Sequence, residues 1–206
     1  MSIILASSSP YRAAQLKQLG INPEIIPANI DETMLSNESA EATAARLAKQ
    51  KAKAVLSLRA DASQPILNSD GSTPDIIIGS DQVACLNDEQ LGKPLTHANA
   101  VIQLSKMSGQ QVCFYTALCV YSMKHQTPYQ YTDITRVTFR NLSRLEIEQY
   151  LDKEQPYHCA GSFKCEGLGI SLFQSIETKD PSALIGLPLI SVNLALLNFG
   201  VNVLEL

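Results

Sequence analysis

Four short stretches of this 206-residue chain carry residues whose types and spacing suit phosphate chemistry. In LASSSPYR (5–12), a strand-like run gives way to three serines and then to Pro10, which fits the first position of a helix. Free backbone N–H groups at such a helix start, the hydroxyls of Ser7 and Ser9 and the guanidinium of Arg12 would together hold a phosphate. The plainer reading is a serine cap followed by a surface Arg. In IIIGSDQV (76–83), three isoleucines between Pro and Gly read as a strand buried on both faces, with Asp81 at its exit. Open α/β sheets place ligand sites at such strand ends. Lys93, in the Gly92-Lys93-Pro94 that follows, is a natural phosphate partner. In NIDET (29–33), Asp31 and Glu32 are neighbouring acids, which in a loop usually face solvent; if this loop meets the Ile76 strand, a carboxylate from it and Asp81 would offer hard oxygen ligands suited to Mg²⁺ or Mn²⁺.

A misplaced lysine is the fourth signal. In AARLAKQKAKAVLSL the apolar positions Ala44, Leu47, Ala48, Val55 and Leu58 form one helical stripe, and Lys51 falls inside it. Lys49 and Lys53 point elsewhere and read as solvated. A lysine on an inward face costs desolvation unless it snorkels or meets an anion.

These residues need elements to position them. The pattern predicts a strand over 2–6, a helix over 10–19, a short strand over 23–27 and a helix over 40–59. Residues 60–74, rich in Ser, Asp, Pro and Gly, read as a long loop. After the isoleucine strand comes a helix over 96–107 with Thr96 as its cap. Two strand-like runs, 111–121 and 129–140, form a hairpin. Ser143 and Glu146 stand at capping-box spacing at the head of a further helix. A Gly-rich segment, AGSFKCEGLGI, then leads to a last strand and a helix over 187–198. Strands alternating with helices, plus a hairpin, indicate a single α/β domain over 1–206 with a mixed sheet.

Composition narrows the partners. Hydrophobic residues at 45% and charged residues at 17% describe an ordinary globular chain with no internal repeat. A net charge of −4 argues against a nucleic-acid polymer, because backbone affinity comes from clustered Lys and Arg. A single nucleotide needs only a few local cations. Five cysteines, an odd number without zinc-site spacing, suggest reduced thiols in a cytoplasmic protein. No apolar run approaches the about 20 residues of a membrane span. There is no P-loop, no G-x-G-x-x-G and no G-x-S-x-G, and the three histidines stand singly.

Taken together, LASSSPYR, NIDET, RLAKQKA, IIGSDQV, GKPLT, CAGSFKCEGLGI and GLPLI resemble, in order and approximate spacing from residue 4 to residue 190, the Maf family of nucleoside triphosphate pyrophosphatases. The wording GSDQV and AGSFKCEGLGI is most like the branch that hydrolyses 7-methyl-GTP. The resemblance implies an elongated mixed sheet flanked by helices, with a cleft between two lobes, and a divalent cation, Mg or Mn, bound by Asp81 and Glu32. It implies Asp81 as the catalytic acid and proton acceptor, with Arg12, Glu32, Lys51 and Lys93 as the charged active-site set. Tyr11, Gln82 and Glu166 fall on positions associated with substrate choice. Many members have two basic residues after the S-P, whereas here Arg12 is followed by Ala13. The nearer alternative is the same chemistry on dTTP, UTP or another noncanonical triphosphate. The more distant one is a nucleotide-binding cell-division regulator. A homodimer is left open.

Overall fold

The computed structural model of the chain describes residues 2–60, 76–125 and 127–206. Its centre is a seven-stranded mixed sheet in the order β2-β1-β3-β5-β6-β7, with β4 paired to the far end of β3. The strands are β1 (Ile3–Leu5), β2 (Glu24–Ile25), β3 (Ile76–Leu86), β4 (Glu89–Leu91), β5 (Gln111–Ser122), β6 (Tyr129–Phe139) and β7 (Phe173–Glu177). Five α-helices flank them: α1 (Pro10–Gln18), α2 (Ala40–Ala60), α3 (His97–Met107), α4 (Arg144–Glu154) and α5 (Leu189–Asn198). The expected α/β class and mixed sheet are therefore observed. The long loop expected over 60–74 falls outside the described residues, apart from Ala60, which ends α2.

β3 organises the molecule. Its first part, Ile76, Ile77 and Ile78, pairs in parallel with Ile3, Ile4 and Leu5 of β1. Its other edge pairs antiparallel with β5 along nearly its whole length, from Ile76–Ser122 to Cys85–Cys113. Its last residues, Ala84 to Leu86, turn through Asn87 and Asp88 and pair back with β4. Both turn residues have positive φ, 48° and 67°, as a two-residue hairpin turn requires. The stretch between, which contains Gly79, Ser80, Asp81, Gln82 and Val83, has a sheet partner on one edge only.

This corrects one expectation. Asp81 stands at the middle of an 11-residue strand, not at its exit. What ends there is the neighbouring strand: β1 stops after Leu5, and Ala6 makes a last bond from its N–H to the carbonyl of Ile78 (2.8 Å). The edge opened by that stop is where the polar residues of β3 stand.

The core divides accordingly. Ile76 and Ile78 face a cluster with Leu5, Leu16 of α1, and Val192, Ala195 and Leu196 of α5. Ile77, on the opposite face, packs with Ile4 and with Ala44, Ala48, Ala52 and Val55 of α2. A second lobe gathers Phe114, Phe139, Phe163 and Leu104 between the far end of the sheet and α3 and α4. The caps are as expected. Thr96 accepts from the N–H of Asn99 (3.2 Å), and Ser143 and Glu146 form a reciprocal capping box. In α2 the predicted stripe buries every member except Leu58, which is 50% exposed.

Small residues let α2 lie directly on β3. A Cβ on Gly79 would come within 2.3 Å of the Ala48 carbonyl oxygen and 2.7 Å of the Ala52 nitrogen, both backbone atoms. Gly79→Ala must therefore push the helix off the strand. The expected cost is about 2–3 kcal/mol of stability, the upper range for overpacking, read as a lowered thermal midpoint. An unchanged midpoint would show that α2 does not rest on this strand.

Candidate functional site

The open edge of β3 forms the floor of a cleft of about 1100 Å³ between the two lobes. Ser7, Ser9, Tyr11 and Arg12 line it from the β1–α1 connection, Glu32 from the segment before α2, and Lys51 from α2 itself. Asp81 and Gln82 line it from β3, Lys93 from the segment after β4, and Lys164, Cys165 and Glu166 from the turn after α4. All ten residues singled out in the sequence thus line one cavity.

Lys51 is the centre of the charge arrangement. Its Nζ lies 2.6 Å from Oδ1 of Asp81 and 2.8 Å from Oε1 of Glu32. The side chains of Lys51 and Asp81 are 8% and 9% exposed, so this lysine meets anions inside the protein and does not snorkel to water. Glu32 is more open, at 55%. Burial alone would raise its pKa, and that is the largest single influence. The hydrogen bond and charge of Lys51, backed by Lys93 and Arg12, outweigh it and hold the carboxyl below its ordinary value.

Arg12 is held by shape as much as by charge. Its Nε donates to the carbonyl of Gly186 (2.8 Å) and its Nη1 to Oγ of Ser7 (3.2 Å). Ser80, beside Asp81, donates to the same Gly186 carbonyl (3.0 Å). Burial pulls the guanidinium below its usual value, against the opposing pull of Asp81 and Glu32. An arginine so placed still carries its charge.

The two serines part company. Ser9 is the cap of α1, accepting from the N–H of Arg12 (3.4 Å), which is the plain structural role. Ser7 is buried, accepts from the N–H of Ser9 (3.1 Å), and receives Arg12 as well. Gln82 is also tied into the wall. Its Nε2 donates toward Oγ1 of Thr116 (2.9 Å) and the carbonyls of Ala183 (3.0 Å) and Leu184 (3.1 Å). Both amide protons have partners in the wall, so a ligand would meet only its carbonyl oxygen.

Lys93, Tyr11 and Glu166 are exposed on the cleft walls. Burial, with the charge of Glu166 adding to it, pushes the Cys165 thiol up to about 12, and burial also raises Cys159. Both are neutral thiols at pH 7 and not nucleophiles.

Sequence reasoning missed Lys164, a fourth cation in the cleft, and the 183–187 turn whose carbonyls receive Arg12, Ser80 and Gln82. A Lys two residues before Glu166 was a usable signal. The role of backbone carbonyls has no signature in side-chain identity.

Among the described residues no group of three or more His, Cys, Asp and Glu side chains could hold a metal ion. Asp81 and Glu32 nevertheless aim oxygens at one point, where the Lys51 ammonium serves as a stand-in cation. Two carboxylates completed by ligand phosphates suit Mg²⁺ or Mn²⁺. Asp31 does not join them; it is exposed and accepts the N–H of Thr33 (2.9 Å).

Fold and site together define an α/β protein with acids and cations gathered at an unpaired strand edge between two lobes. Residues 2–199 match the model of a family described as Maf-like protein, and the chain belongs to the Maf family. Among similar proteins is the 7-methyl-GTP pyrophosphatase of Saccharophagus degradans, 48% identical over 95% of this chain and 92% of that one. Those of Nitrosospira multiformis (48%; 92% of this chain, 89% of that one) and Colwellia psychrerythraea (45%; 98% and 95%) bear the same name. No described helix is long and apolar enough to cross a membrane.

Because the folded-state pKa of Glu32 is depressed, its contribution to stability is present above the unfolded value, near 4.5, and is lost as pH falls through the folded value. In metal-free buffer at pH 7, Glu32→Gln should therefore unfold more readily than the parent. The gap should close as pH drops below the ordinary carboxylate range. Denaturant titrations at several pH values would measure it; a gap that widens on acidification contradicts the assigned direction.

Proposed function

We propose that this protein is a nucleoside triphosphate pyrophosphatase that converts 7-methyl-GTP to 7-methyl-GMP and pyrophosphate, clearing modified nucleotides. The observation that carries the reading is the buried Lys51 ammonium between Asp81 and Glu32, in one cleft with Arg12 and Lys93. The names of relatives at 44–48% identity, which align along nearly the whole chain, support the choice of substrate.

The chemistry follows from the residues. Water attacks the α-phosphorus, the bond to the oxygen bridging to the β-phosphate breaks, and that oxygen leaves with the pyrophosphate. Asp81 accepts the proton of the attacking water. Arg12, Lys51 and Lys93 stabilise charge on the triphosphate tail as it departs, an electrostatic contribution from groups already in place. Ser7 and the Gly186 carbonyl keep Arg12 oriented. Asp81 and Glu32 would hold the divalent cation, which when bound supplies charge neutralisation at the phosphates.

Tyr11 and Glu166 also line the cleft. Methylation at N7 gives guanine a delocalised positive charge, which favours stacking on an aromatic face such as that of Tyr11. The guanine edge presents N1–H and the exocyclic amine side by side, and the Glu166 carboxylate can accept both.

A panel of triphosphates, with Mg²⁺ and with Mn²⁺, tests the reading. Pyrophosphate release should be fastest with 7-methyl-GTP, and Asp81→Asn should lower it by about 100-fold or more with the circular dichroism of the folded protein retained. Faster release from dTTP or UTP would move the protein to the pyrimidine alternative. Tight nucleotide binding with no pyrophosphate from any substrate would favour the regulator.

Glu166→Gln separates the base from the phosphates. It should lower kcat/KM for 7-methyl-GTP about tenfold more than for dTTP, because a charge-assisted pair of hydrogen bonds is weakened. Equal losses on both substrates would remove Glu166 from base recognition.

A further inference from the structure

We infer that Glu154, the last residue of α4, is a positioning residue for base selection: it grips the turn that carries Glu166 on both sides and neutralises Lys164 beside it. The inference rests on the reading of Glu166 as the base-recognising carboxylate.

Turn 164–169 folds around its own first carbonyl. The oxygen of Lys164 accepts from the N–H groups of Gly167 (3.3 Å) and Gly169 (3.1 Å). Helix α4 anchors this small loop. The Tyr150 hydroxyl accepts the N–H of Lys164 (3.2 Å), and Oε2 of Glu154 accepts the N–H of Leu168 (2.9 Å). Nζ of Lys164 lies 3.3 Å from Oε1 of Glu154 and 3.3 Å from its backbone oxygen. One carboxylate thus binds the chain two residues before and two residues after Glu166. The fit leaves no slack: a Cβ on Gly167 would stand 2.7 Å from Oε2 of Glu154. Glu166 itself is exposed, with the Cys165 thiol at 3.5 Å, so its direction is set by the backbone beneath it.

The charge matters as much as the grip. Lys164 lines the cleft with Tyr11 and Glu166. A free ammonium there would repel a ring that is itself positive, but would not discriminate against neutral guanine. Pairing with Glu154, whose side chain is only 17% exposed, cancels that repulsion where the methylated base would sit. Glu154 touches no substrate in this account. It acts through Glu166 and Lys164.

The test compares 7-methyl-GTP with GTP, which share every group except the methyl and its charge. Glu154→Gln keeps an acceptor for Leu168 N–H and removes the charge; Glu154→Ala removes both. The ratio of kcat/KM values, methylated over unmethylated, should fall about fivefold in Glu154→Gln and about twentyfold in Glu154→Ala, with the 7-methyl-GTP loss carried by KM. Calorimetric binding of 7-methyl-GMP and GMP should show the same order without turnover. If Glu154→Ala fails to fold, the near-isosteric Gln variant decides. A parent enzyme that prefers the methylated substrate, with variants that keep the preference, overturns the inference alone. A parent with no preference overturns the substrate reading and the inference with it.

Discussion

The structure depends on one buried cation. Placing the Lys51 ammonium under the sheet's open edge would cost several kcal/mol if it had no partner. It is tolerable because Asp81 and Glu32 arrive from two other parts of the chain and meet it at 2.6 and 2.8 Å. The three groups hold one another. Removing either carboxylate takes away one of the two anions that compensate the lysine, and removing the lysine leaves two acids aimed at one point. On the proposed reading, Asp81 and Glu32 would hold a divalent ion, which would supply positive charge at the phosphates. Among the described residues, the charged side chains lining the cleft are four cations and three anions, apart from His158, in a protein whose overall charge is −4. The local field therefore opposes the global one, which is how an acidic protein can receive a triphosphate.

Geometry rests on β3. A strand that ended at Asp81 would leave the carboxylate on a loop. Because β3 continues to Leu86, Asp81 is fixed by its pairing with Ala117 on one side while its other edge stays free. The free edge exists because β1 is only three residues long and β4 joins only beyond Val83. Gly79 then lets α2 approach to backbone contact and bring Lys51 within reach. Two economies of sequence, a short strand and a missing Cβ, thus make the space and set its depth.

Much of this was legible in the residues. Lys51 announced itself by interrupting an apolar stripe, and its burial against two acids is the outcome that pattern implies. The capping box at Ser143, the cap at Thr96 and the hairpin of β5 and β6 follow from local rules that tertiary packing has no reason to override. Strand β4 went unread because three residues are too few for periodicity, although Asn87-Asp88 between Leu86 and Glu89 was a hairpin signal. Asp81 was taken for a strand exit because Gly-Ser resembles a turn. Pairing with β5 overrides that local preference, and no local rule foretells it. Leu58 was read as core on phase alone, and it is half exposed. Ser9 and Ser7 have the same side chain and differ only in their relation to the start of α1, where one is the cap and the other lies beneath Arg12.

The two ends of the cleft are held by different means, and that has a consequence for specificity. On the proposed reading, the phosphate end is fixed by the sheet, by α2 and by the 183–187 carbonyls, all parts of the main core. The turn that carries Glu166 hangs from one helix terminus, through Tyr150 and Glu154. None of the hydrogen bonds that hold turn 164–169 to α4 involves Arg12, Lys51 or Asp81. Energies at sites without shared partners add independently to a good approximation. A change in the turn can therefore alter which base is admitted without disturbing the acids and cations that act on the phosphates, whereas a change at Lys51 would be felt by every substrate alike.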